Sequence, residues 1–139
     1  MPLIKRRKDY KPLLWLPSET YIKVVIFNDF TIVKSKIIFQ KNNSELINNY
    51  KLSNTIELNG LNLSTKKFLL IIDELKTKSI KIDSKKKNDE VVSISIPSDA
   101  NSLKIITEVK IFPKDNSSLE GLYESNNMFC TQCEPEGFR

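Results

Sequence analysis

The chain has 139 residues and a mass of 16.1 kDa, the length of one domain or part of one. With 40% hydrophobic and 28% charged residues, it is neither a membrane-spanning chain nor a low-hydrophobicity disordered one. Histidine is absent, which excludes His-based nucleophile pairs, His metal ligands and the H-E-x-x-H zinc motif, while the net charge of +5 leaves an anionic partner open.

Read from the start, residues 1–11 are basic through Lys5, Arg6, Arg7 and Lys8. The apolar run Leu13-Leu14-Trp15-Leu16 is shorter than the about 7–15 residues of a signal-peptide core. Trp15 reads as a packing anchor, because no basic-aromatic interleaving surrounds it. Residues 21–27 are rich in β-branched and aromatic side chains, as strands are. Asn28-Asp29 supplies turn chemistry before a second run at 31–40, so the pair predicts a hairpin. Asn42-Asn43-Ser44 and Asn48-Asn49 mark a loop. Residues 55–59 alternate and stop at Gly60.

The apolar run at 68–73 predicts a buried strand, its β-branched content arguing against a short helix. It falls far short of the roughly 18 residues needed to span a bilayer. Asp29 and Glu74 read as turn residues. Residues 79–83 alternate, and 84–89 form a charged turn carrying Lys85-Lys86-Lys87, read as a solvated hairpin tip. Residues 91–96 and 103–112 are the next strands, each closed by a proline, Pro97 and Pro113. A loop at 115–118 precedes a last extended segment at 119–124. About seven or eight short strands without a strong helix predict an all-β domain, an antiparallel sandwich or open barrel. Residues 1–139 are expected to form that single domain, with no internal repeat and no long linker.

The charge does not by itself identify a partner. Arg6, Arg7 and Arg139 are the only arginines, whereas planar, bidentate phosphate recognition favours arginine. Ile and Asn are abundant, and Ala100 is the only alanine. This bias is what an AT-rich coding sequence produces, so the excess charge reads as compositional. With two cysteines and no evident export segment, the expected compartment is a reducing cytoplasm.

The C-terminal segment departs from this lysine-rich composition. It runs from Leu119-Glu120-Gly121-Leu122-Tyr123 to Cys130-Thr131-Gln132-Cys133-Glu134-Pro135-Glu136-Gly137-Phe138-Arg139. The spacing Cys130-x-x-Cys133 lacks the second ligand pair a structural zinc needs. The thiols read first as reduced and packed, with a disulfide or an intermolecular metal half-site as alternatives. Glu134 and Glu136 read either as a solvated acidic loop or as paired carboxylates. Gln132 and Glu134 offer a third possibility. An amide oxygen beside a carboxylate can accept hydrogen bonds from one ammonium group, which has three donors.

The blocks L-E-G-L-Y (119–123) and C-T-Q-C-E-P-E-G-F-R (130–139) resemble the bacterial zinc aminopeptidases of the aminopeptidase N (gluzincin) family. Looser likenesses lie at Lys8-Asp9-Tyr10-Lys11-Pro12 and at residues 56–63. The resemblance implies a saddle-like β domain, the first of several in the family's enzymes, here without its last strands. It also implies a parent reaction, zinc-dependent removal of the N-terminal residue from peptides. The expected partners are a peptide substrate and a catalytic zinc domain, in cis or as a separate chain, with no nucleic acid and no membrane. Zinc belongs to the parent enzyme, and this chain is expected to bind none and to be inactive alone. Gln132 and Glu134 occupy the family positions that bind the substrate's terminal ammonium. Pro135 stands where relatives often carry alanine. The rival reading is a non-enzymatic basic β-sandwich that binds an acidic partner or single-stranded nucleic acid.

Overall fold

The computed structural model describes residue 6 and residues 11–50, 52–60, 63–74, 76–79 and 91–132. Within these residues the chain is all-β, with nine strands. They are β1 (Trp15–Ile26), β2 (Thr31–Lys41), β3 (Thr55–Asn59), β4 (Ser64–Ile72), β5 (Lys76–Ser79), β6 (Val91–Ser95), β7 (Ser102–Ile111), β8 (Gly121–Ser125) and β9 (Met128–Gln132). Short 3-10 turns at Glu45–Asn49 and Pro113–Asp115 fall in the connections. The expected loop at 42–49 therefore contains one such turn. Residues 80–90, with Lys85-Lys86-Lys87, lie outside the described residues.

Five strands form one antiparallel sheet in the order β1-β2-β7-β4-β5, and β3-β6 and β8-β9 form two-stranded sheets. The Asn28-Asp29 turn joins β1 to β2 as the sequence predicts, and Phe27 N–H donates to the Phe30 carbonyl at 2.9 Å. β1 begins earlier than its apolar run, at Trp15. The register shift between Pro17 and Glu19 accommodates a proline that donates no ladder bond, which an edge strand tolerates.

Register places the core. On one face of the large sheet, Ile37, Ile105 and Leu70 lie abreast, as do Phe39, Leu103 and Ile72. Leu70, Leu103 and Ile105 are almost wholly removed from solvent. Above this face sits the β3-β6 pair, in which Ile56 lies opposite Ile94 and both are buried, while Glu57 and Ser93, the next pair along the ladder, point outward. Alternation with period two in both strands produces this two-sided burial. Trp15, Ile96 and Ala100 complete the same cluster, so Trp15 is the packing anchor its context predicts.

Asn54 fastens the two layers. Its Oδ1 accepts from the buried Trp15 indole Nε1 at 2.9 Å, and its Nδ2 donates to the Ile96 and Pro97 carbonyls at 2.9 and 3.0 Å. Removing the amide strands a buried indole donor and takes the side-chain donor from two carbonyls. Asn54→Ala is therefore expected to lower unfolding free energy by about 1–3 kcal/mol, read from urea denaturation. Asn54→Asp, which keeps the acceptor for Trp15, should lose less; an alanine variant as stable as the parent contradicts this role.

A second fastening lies at the β4-β5 turn. Asp73 and Glu74 adopt left-handed backbone with φ of 45° and 60°, as turn residues do. The Asp73 carboxylate accepts from the N–H groups of Asn101 and Ser102 at 3.0 and 2.7 Å and ties this turn to the start of β7.

The covered layer does not extend along all of β1. Ile22, Val24 and Ile26 lie opposite Ser35, Val33 and Thr31, on the core side of the sheet, yet are 65%, 49% and 46% exposed. Apolar side chains in a row on an edge strand make an adhesive surface.

Candidate functional site

Residues 121–132, which include the first three residues of the distinctive C-terminal motif, fold as a hairpin. β8 pairs antiparallel with β9, with Gly121 opposite Gln132, Tyr123 opposite Cys130 and Ser125 opposite Met128. Asn126 and Asn127 close it at φ of 49° and 62°, the two left-handed residues of a type I′ turn. Asparagine adopts this backbone more readily than other non-glycine residues. At the other end, Leu119 and Gly121 also have positive φ, 58° and 68°. Glycine meets that demand at 121 without a side-chain clash. Asn116 steadies the bend by donating Nδ2 to the carbonyls of Glu120 and Leu122 at 2.7 and 2.9 Å.

β9 places one of the two predicted amine-binding residues. Gln132 is exposed, at the last described position of the strand. Its partner across the ladder is glycine, so no opposing side chain covers the amide. Cys130, two residues earlier, shares its face and is a half-buried free thiol, with Sγ 3.9 Å from the Met128 carbonyl oxygen. Cys133, Glu134 and Glu136 lie outside the described residues. Among the described residues, no three His, Cys, Asp or Glu side chains gather as a metal site would require. Elsewhere, the Tyr21 phenol donates to Glu19 Oε2 at 2.7 Å; that bond and the carboxylate's charge hold it above the ordinary tyrosine range.

β9 has no counterpart among the strands expected from the sequence. The last of those lies at 119–124, and residues 130–139 read only as a motif. The overlooked clue is Asn126-Asn127, a two-residue turn between two short runs, which lacks the glycine that marks most such hairpins.

The same all-β fold occurs within a solved aminopeptidase structure. The crystal structure of Legionella pneumophila aminopeptidase A in complex with aspartic acid superposes with a TM-score of 0.67 over 96% of this chain and 14% of that one, at 20% identity. By sequence, the chain is a homologue of aminopeptidase N and matches the N-terminal part of those longer proteins. It is 28% identical to Haemophilus influenzae aminopeptidase N over 135 residues, 97% of this chain and 14% of that protein. Identity to Escherichia coli aminopeptidase N is 40% over 72 residues, 48% of this chain and 8% of that protein. A 35-residue stretch is 60% identical to aminopeptidase N of Caulobacter vibrioides. The chain thus spans well under two thirds of the relatives it matches. No protein-family profile matches it.

Proposed function

We propose that residues 1–139 are the substrate-anchoring β domain of a zinc-dependent aminopeptidase acting in the cytoplasm on peptides. The observation that carries this reading is the likeness to aminopeptidase N along 97% of the chain. An exposed Gln132 at the end of β9 fits the role. An exopeptidase must distinguish a terminal ammonium from an internal amide, and acceptors at a fixed distance from the reacting centre do so. On this reading Gln132 and Glu134 accept from that ammonium. Zinc and the general base belong to a catalytic domain supplied in cis or as a separate chain, and water activated by the metal is the nucleophile there. The uncovered row Ile22, Val24 and Ile26 offers that domain an apolar surface.

The 139-residue chain is therefore expected to hydrolyse no aminoacyl amide and to hold no stoichiometric zinc. Added to a catalytic domain with an H-E-x-x-H helix, it should support release of N-terminal residues. Turnover by the chain alone, or metal analysis giving one tightly held zinc per chain, overturns the assignment.

A further inference from the structure

The face of the large sheet turned away from the β3-β6 layer gathers charge that is dispersed in the sequence. Lys23, Lys34, Glu108 and Lys67 lie abreast on four neighbouring strands. Lys36, Lys104 and Lys110 share that face by alternation along β2 and β7. Lys34 pairs with Glu108 at 2.9 Å and Lys104 with Glu74 at 3.7 Å. Lys23, Lys36, Lys67 and Lys110 form no ion pair among the described residues. Lys23 stands directly across the ladder from Lys34, a like-charge neighbour whose repulsion Glu108 relieves from the Lys34 side only.

The aromatic side chains on this side hold lysines in place. Lys36 Nζ lies 3.8 Å from the Tyr21 ring centroid, and Lys110 Nζ lies 3.9 Å from that of Phe30 and 4.9 Å from that of Phe112. Such contacts restrain long side chains that would otherwise move freely, and leave their charge facing solvent. They also occupy ring faces on which a nucleobase would stack. Ile32 and Ile106, half-buried, lie among the lysines.

From this arrangement we propose that the outer face of the sheet docks an extended polypeptide segment that carries acidic residues at alternate positions, all on the face it turns to the sheet. Lys34 and Lys36 are two residues apart on β2, a pitch of roughly 6.6 Å. An extended peptide with acidic residues at alternate positions has the same pitch and lays them along that row. Lysine gives such a partner point charges without the planar fork that selects phosphate. This surface is independent of the amine-binding assignment, since none of its residues belongs to the β8-β9 hairpin.

The test uses the 139-residue chain and a fluorescent peptide of alternating glutamate and valine, with binding read by anisotropy at low and moderate salt. Binding is expected, weakening as salt rises. The paired reversal Lys23→Glu with Lys36→Glu should reduce affinity roughly tenfold or more. The charge-matched control, Lys11→Glu with Lys114→Glu, should change it less than about twofold. Equal losses in the two pairs reduce the effect to net charge and overturn the proposal. So does tighter binding of an oligothymidylate of equal charge, which favours nucleic acid, or tighter binding to phosphatidylserine vesicles. Where reversal alters the far-UV spectrum, Lys23→Gln with Lys36→Gln replaces it, and unchanged affinity in that folded pair also overturns the proposal.

Discussion

Ile105→Ala is expected to destabilise the chain by about 2–5 kcal/mol, a large share of the roughly 5–15 kcal/mol that holds a domain of this size together. Ile105 sits on β7, the middle strand of five, with 0% of its surface exposed. It lies abreast of Ile37 on one side and Leu70 on the other, beneath the β3-β6 layer. Truncation leaves a cavity with rigid walls, because ladder hydrogen bonds on both sides keep β2 and β4 from moving in to fill it. Ile22→Ala is the contrasting case. The same residue type on the same side of the sheet is 65% exposed there, since the second layer stops short of it. That variant should shift stability by less than about 0.5 kcal/mol. Urea midpoints of the two variants, measured with equal slopes, decide the matter. Similar losses at both positions mean that the covered and uncovered halves of the sheet are wrongly assigned.

Those two isoleucines also mark the limit of what the sequence discloses. Strand formation is a local property, and it was legible. Asn28-Asp29 between two β-branched runs gave the first hairpin, and the alternation at 55–59 and 91–96 gave the two strands of the covering layer. Burial on a strand is not local. Ile22 and Ile105 belong to equally apolar runs, and what separates them is the reach of a layer built from residues 55–59 and 91–95. The start of β1 was hidden by Pro17, which reads as a strand breaker unless the strand is known to be an edge. β9 was hidden because Cys130 and Cys133 invite a metal or redox reading before a structural one.

The lysines show the same limit. Lys23, Lys34 and Lys67 are neighbours only through pairings between strands far apart in sequence, so the charge looked like uniform composition. By contrast, the proposed amine-binding pair rests on family resemblance alone. A glutamine and a glutamate two positions apart identify no ligand by spacing. The fold adds the exposure of Gln132 and its glycine neighbour across the ladder.

On the proposed assignment, Glu134→Ala in the complete enzyme should lower kcat/KM about tenfold more than Gln132→Ala does. Both residues accept hydrogen bonds from the same ammonium, but they differ in charge. The ammonium makes both bonds charge-assisted, but only the carboxylate adds a full opposite charge, so its bond is the stronger. Burial of the ammonium beneath a bound peptide enlarges that difference, because a cation removed from water needs a counter-charge more than another dipole. Gln132→Ala should therefore keep most of the activity, and Glu134→Gln should fall between the two alanine variants, since it retains an acceptor and loses the charge. Glu136→Ala should have the smallest effect, because the first acid alone matches the amine-binding position. The readout is steady-state kinetics of the four variants on one aminoacyl substrate. A blocked substrate with an acetylated amine serves as the reference, on which the variants should differ little. If Glu136→Ala is the most damaging and Glu134→Ala nearly neutral, the anchor is misassigned even within the right family. If all four lose activity equally on both substrates, the segment acts by holding the active-site wall in place and reads no ammonium.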